Sequence, residues 1–373
     1  MKFDSLGCLI FLMTASFPLY IFGSGSIQPS HALAIVTMIY CLAYDRLALG
    51  VVESILIVLL AVMLITEAVH VRDILGIEPI LTIAFVVFTL LFVATFRKAL
   101  VSKHIEVLYG LFASQFVALV GLLIYGFSVS GPESTRAVGF FNNPNQLGYF
   151  AVLSFSLVAL IRMLVVVDKR IYLFIILCSI FFAILSLSKA AMVSLSVGLL
   201  LLAFSHAPLK TVFLIFPSIS SVIGLFVLPD LQKLNFVARL TNIGKADDDN
   251  LSERGTFILF QQAETVFDYI FGIGVDRAFI AADHEVHSTF FSFLTYYGIL
   301  GFSLYSSFFG FTVYQLSKLV PFKYVLVVLA PPFLFGLTHN GSRALFFMLL
   351  ISLILASASR NANNTKKDRL IRI

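Results

Sequence analysis

The stretch ILTIAFVVFTLLFVATF, residues 80–96, runs for seventeen positions without a charged side chain. At about 1.5 Å per residue a helix of this length nearly crosses a bilayer core about 30 Å thick, where every backbone group must be satisfied within the segment. Working outward, similar runs lie near 6–23, 30–44, 49–69, 105–128, 145–167, 171–187, 190–206, 210–228, 289–316, 322–338 and 343–358, so about twelve membrane-spanning helices are predicted. Composition agrees. Of 373 residues 60% are hydrophobic and 12% charged, with a mean hydropathy of +1.00, whereas soluble domains are about half apolar and a quarter charged. A soluble enzyme is excluded, and the expected fold is an all-α polytopic membrane protein. Its parts are nine helices over 1–228, one large loop over 229–288 with short helices of its own, three helices over 289–358, and a basic tail over 359–373.

Lys and Arg set the expected orientation, because cytoplasmic loops carry their excess. With the N-terminus inside, Lys2, Arg46, Arg97, Lys98, Lys103, Arg162, Lys169, Arg170, Lys210, Lys318, Lys323 and the tail residues Arg360, Lys366, Lys367, Arg369 and Arg372 are cytoplasmic. The short loops outside carry only Arg72, Arg136, Lys189 and Arg343. The isoelectric point near 9.0 therefore reflects topology and argues for no nucleic-acid partner. Cys8, Cys41 and Cys178 lie in apolar runs, where a thiol behaves as a small hydrophobe, and no role is assigned to them. The N-terminal apolar run lacks a small-residue cleavage site after Gly25 and is read as an uncleaved first helix.

Two loops stand apart, both on the expected outer side. One, from about 129 to 144, ends in Asn-Pro-Asn. The other, from Pro229 to His287, is too long to lack structure of its own. In it Leu231, Leu234, Val237 and Leu240 recur at helical spacing, and SERGTFILFQQAETVFDYI reads as one helix capped by Ser252 and stopped at Gly272 and Gly274. Ser288 is a natural N-cap for the helix that follows. The positive end of that helix disfavours imidazolium and keeps His287 neutral, able to accept a proton. Gly298 and Gly301 read as a small-residue face for a neighbouring helix. Tyr296 and Tyr297 read as lipid-facing or packing residues. Asp283, His284, Glu285 and His287 match no standard zinc spacing, and Asp247 to Asp249 read as a solvated run.

Three segments together resemble the O-antigen polymerase and ligase family of bacterial surface-polysaccharide assembly: FFNNPNQLGYF at 140–150, LSLSKAAMVSL at 185–195, and Glu253 to Gly301. The last holds Arg254, the Gly272-x-Gly274 turn and His287-Ser288-x9-Gly298-x-x-Gly301. Lys189 stands where that family usually has Arg. The resemblance implies a type C (GT-C) membrane glycosyltransferase with the outer face of the inner membrane as its working side. Its donor would be an undecaprenyl-diphosphate-linked glycan, with no nucleotide cofactor and no metal. His287 would be the general base, and Arg254 with Lys189 would hold the diphosphate. Arg136, Asn143, Asn145, His339 and Arg343 are further candidates for substrate contact. The Asn142 to Gly148 segment favours a polymerase over a ligase that moves the glycan to lipid A-core, and a chain-length regulator and a flippase are the expected partners. The alternative of another class is a flippase or transporter for the same lipid-linked sugar.

Overall fold

The computed structural model describes residues 3–22, 27–44, 46–70, 76–126, 136–206, 258–282, 285–340 and 344–370. Among these residues the chain is all helix, without strands. The long helices are α1 (Ser5–Ala15), α2 (Pro29–Ala43), α3 (Val51–His70), α4 (Ile77–Ala99) with a 3-10 turn (Leu100–Ser102), α5 (His104–Tyr125), α6 (Pro144–Leu164), α7 (Lys169–Ser186) and α8 (Lys189–His206). Three short helices follow, α9 (Ile258–Gln262), α10 (Val266–Phe271) and α11 (Val275–Ala282). Then come α12 (Thr289–Ser317), α13 (Phe322–Thr338) and α14 (Leu345–Leu370). Eleven of the twelve predicted runs overlap helices, the first of them, 6–23, being helical only as far as Ala15, and the run 210–228 lies outside the described residues. Five helices, α3 to α7, are each long and apolar enough to cross a membrane, and further apolar helices are shorter.

Local chemistry sets the boundaries. Pro144 and Pro29 sit at first-turn positions, where a missing N–H is harmless. The Asp4 carboxylate caps α1 by accepting from the Gly7 N–H at 2.7 Å, and Asp168 caps α7 by accepting from the Arg170 N–H at 2.7 Å. The helix expected to run from Ser252 to Ile270 is two helices where it is described. Thr265 and Asp268 form a reciprocal capping box that starts α10 afresh after α9. Helix α11, just beyond the Gly272-x-Gly274 turn, was not expected. Helix α14 continues to Leu370, into the basic tail expected from 359, through residues such as Ala, Arg and Lys that favour helix.

Helix α6 is the centre. Every residue from Leu147 to Ile161 is buried, because α5, α7, α8, α13 and α14 surround it. Helices α3, α4, α12 and α14 pack into the other half of the bundle. Antiparallel order leaves two ends. At one, Lys103 Nζ binds Asp4 at 2.7 Å and Glu106 at 3.0 Å, and Arg97 binds the fully buried Glu53 at 3.2 Å. Lys323 Nζ donates to the Ser205 carbonyl at 2.8 Å at the same end. Among the described residues that end carries Arg46, Arg97, Lys98, Lys103, Arg162, Lys169, Arg170, Lys318, Lys323 and Arg360. The opposite end carries only Arg136, Lys189 and Arg277.

Candidate functional site

The cation-poor end is where the three singled-out segments meet. Asn143 caps α6, its side-chain oxygen accepting from the Gln146 N–H at 3.0 Å, while Gln146 returns the favour by accepting from the Asn142 N–H at 3.0 Å. Arg136 reaches across this start. Its Nε donates to the Ser186 carbonyl at the end of α7, 2.9 Å away, and its Nη2 donates to Asn145 Oδ1 at 2.8 Å. The guanidinium thus answers the negative end of the α7 dipole and ties it to the Asn-Pro-Asn segment. The turn between α7 and α8 is tight enough to push Leu187 to a φ of +48°. Gly148 faces Ser186, Ser188 and Ala191 so closely that a Cβ there would collide with them. Lys189, half-buried, opens α8, and Ser188 just before it caps that start, its hydroxyl oxygen accepting from the Ala191 N–H at 3.5 Å.

A ladder of rings carries the link onward. Tyr149 of α6 stacks on Phe335 of α13 with centroids 4.3 Å apart, and Phe335 stacks on His339 at 4.8 Å. The His339 carbonyl accepts from both the Thr289 N–H (3.3 Å) and the Thr289 hydroxyl (3.1 Å) at the start of α12. Ser288 caps α12 by accepting from the Phe291 N–H at 3.4 Å and donates to the Gly336 carbonyl at 3.3 Å. His287 is exposed at the head of α12 between buried Val286 and buried Ser288. Glu285 accepts from Asn340 Nδ2 at 2.8 Å. Arg136, Asn143, Asn145, Lys189, His287 and His339 therefore belong to one end of the bundle. Arg254 and Arg343 lie outside the described residues, as do Asp283, His284 and Asp247 to Asp249. Among the described residues no three His, Cys, Asp or Glu side chains could share a metal ion.

The segment 258–282 is clasped to the bundle by contacts that the sequence did not announce. Helix α12 breaks at Tyr297 (φ −127°, ψ 16°) and Gly298 (φ +62°, ψ −161°). The break withdraws in-helix donors from the carbonyls just before it. The Gly272-x-Gly274 turn supplies replacements, Ile273 N–H donating to the Thr295 carbonyl and Gly274 N–H to the Tyr296 carbonyl, both at 3.1 Å. A Cβ on Gly272 would run into the Tyr296 carbonyl, and one on Gly298 into the Ile270 carbonyl. Gly298 thus admits the backbone at the end of the short helix α10 and the turn after it, while beside Gly301 lie Tyr297 and Phe293 of its own helix. Tyr296 and Tyr297, 2% and 0% exposed, face this packing and not lipid.

The last turn of α3 holds the same segment. Glu67 Oε1 accepts from the Val275 N–H at 3.0 Å, and the Thr66 hydroxyl donates to the Phe271 carbonyl at 2.7 Å. His70 Nε2 lies 2.9 Å from the Gly272 carbonyl and 3.7 Å from Asp268 Oδ1. Burial works against the Asp268 carboxylate, but N–H groups of Glu264 and Thr265 and the nearby His70 outweigh it and hold its pKa below the usual carboxylate value. Arg277 is engaged by Glu264 at 2.6 Å and faces Asp268 at 4.0 Å. Glu67, His70, Asp268 and Arg277 are thus residues that the sequence reading missed. The signal was present in Glu67 and His70, two ionisable groups one turn apart at the end of an apolar helix. Beside Tyr296 a narrow cleft is flanked by Thr82, Ser292, Tyr297 and Asn340. Neither a protein-family model nor a curated protein matches this chain.

Proposed function

We propose that this chain is a multi-pass inner-membrane glycosyltransferase of the GT-C class with about twelve spans. It would join undecaprenyl-diphosphate-linked glycan units at the periplasmic face. The observation that carries this reading is the convergence of the Asn-Pro-Asn segment, the Ser-Lys-Ala turn and the His-Ser head of α12 at one end of the bundle, with His287 exposed and its neighbours pinned. The distribution of cations supports the orientation, since the crowded end is the one expected in the cytoplasm.

In the proposed reaction His287 takes the proton of an acceptor sugar hydroxyl, an effect worth typically about 10² to 10⁴ in rate. The oxygen attacks the anomeric carbon from the side opposite the leaving group. The bond from that carbon to the diphosphate breaks, and the electron pair leaves with the lipid diphosphate, so the centre is inverted. The imidazolium then releases its proton to water. Lys189 at the start of α8, with Arg254, would hold the diphosphate through charge-assisted contacts of about 1.5–3 kcal/mol each. Arg136 supports that pocket through Asn145 and the end of α7.

A flippase is the second reading, favoured by the break in α12, because transporters bind cargo at interrupted helices. Here the freed carbonyls of Thr295 and Tyr296 are already taken by the Gly272-x-Gly274 turn, which favours transfer. The lipid-linked pool of a deletion strain tests the choice. Loss of a polymerase leaves single repeat units on the carrier, or moved singly to the final acceptor, with long chains absent. Loss of a ligase leaves long lipid-linked chains, and loss of a flippase leaves units facing the cytoplasm. The polymerase pattern is expected, and an unchanged pool would contradict all three.

A further inference from the structure

The backbone bearing His287 is fastened on both sides, and the buried N–H of the residue just before it is met by a single phenol. Tyr296 lies just before the break in α12, and its hydroxyl accepts from the Val286 N–H at 3.0 Å while its carbonyl accepts from Gly274. Val286 is fully buried, so water does not compete for that N–H. Asn340 also holds Glu285 on that side, and on the other side Ser288 is held by Gly336. Between these fixed points only the His287 side chain is exposed to solvent over 286–288. A phenylalanine at 296 would fill the same space but for one oxygen, and that oxygen meets the residue beside the base.

We propose that Tyr296 is a positioning residue for His287. By accepting the Val286 N–H it fixes the extended stretch from which the imidazole projects, and through its carbonyl it references that stretch to the Gly272-x-Gly274 turn. The inference rests on His287 acting as the base. A base must come within about 2.6–3.2 Å of the proton it takes, and a displacement of about 1 Å lowers rate by about 10²-fold. Ground-state binding of the lipid-linked donor involves Lys189 and the start of α8 instead, on other helices.

The test uses full-length protein in proteoliposomes, with lipid-linked glycan extracted from the deletion strain as the substrate, and variants that elute as wild type on size exclusion. Tyr296→Phe is expected to lower kcat by about 10- to 100-fold and to leave KM within about twofold. Tyr297→Phe, which removes an equally buried phenol, is expected to leave both near wild type. The double variant Tyr296→Phe/His287→Ala is expected to be no slower than His287→Ala, because a positioning residue has nothing left to position. Wild-type kcat in Tyr296→Phe would overturn the proposal. So would a rise in KM alone, an equal loss in Tyr297→Phe, or additive losses in the double variant. Wild-type transfer by His287→Ala would instead remove the base itself, and the proposal with it. Inactive His287→Ala beside fully active Tyr296→Phe would refute only the positioning role.

Discussion

Replacing Gly298 by alanine should release the segment 258–282 from the bundle. Its backbone (φ +62°, ψ −161°) lies in a region open almost only to glycine, and holding another residue there costs about 1–3 kcal/mol. The new Cβ would also meet the Ile270 carbonyl and the Gly272 nitrogen, both backbone atoms that cannot rotate away. Backing off from that collision breaks the bonds from Ile273 and Gly274 to Thr295 and Tyr296, worth about 0.5–1.5 kcal/mol each. The sum is about 2–6 kcal/mol, and with about 1.4 kcal/mol per tenfold change it corresponds to about 30- to 10⁴-fold faster opening. Hydrogen exchange read by mass spectrometry on peptides covering 268–280 measures this directly. Gly310→Ala serves as the control, since a Cβ there meets nothing within 4 Å and alanine favours helix by about 1 kcal/mol. Exchange of 268–280 in Gly298→Ala at the wild-type rate would show that the break and the turn do not hold one another.

Three other outcomes follow from the same contacts. Asn143→Ala removes the cap of α6 and should destabilise the protein by about 1 kcal/mol in thermal unfolding, whereas Asn143→Asp should be tolerated because a carboxylate suits a helix N-terminus. Asp268 has a folded pKa below its ordinary value. It therefore stabilises at pH above the usual carboxylate range, and that contribution is lost as pH falls through the folded value; the melting-temperature gap between wild type and Asp268→Asn should close on acidification, and a constant gap would contradict this. A phosphatase fused near Asn250 should be active outside the cell membrane, and one fused after Arg360 inactive, given the excess of Lys and Arg at one end.

The helices were legible because uninterrupted apolar runs leave a chain in lipid no other way to satisfy its backbone. The caps were legible too: Ser288 and Pro144 sit where local rules put them. The clasp was not. Gly298 reads as a packing face in a periodic pattern, and nothing local distinguishes that from a break whose carbonyls are met by a turn 24 to 26 residues earlier, at Gly272 to Gly274. Tyr296 looked like one aromatic among many, since its value lies in a contact with Val286 that depends on the break. Arg136 was read as a ligand for substrate, and its guanidinium reaches Ser186 and Asn145, partners that only the packing of α6 against α7 brings within range.

Transfer by the purified protein tests the account most directly. Wild-type protein in proteoliposomes, supplied with lipid-linked repeat units extracted from the deletion strain, should extend them to longer lipid-linked chains, in chelator as well as without it. His287→Ala, eluting as wild type, should leave the units as supplied. Equal extension by His287→Ala, or no extension by the wild-type protein, would contradict the central claim that this end of the bundle transfers glycan with His287 as its base.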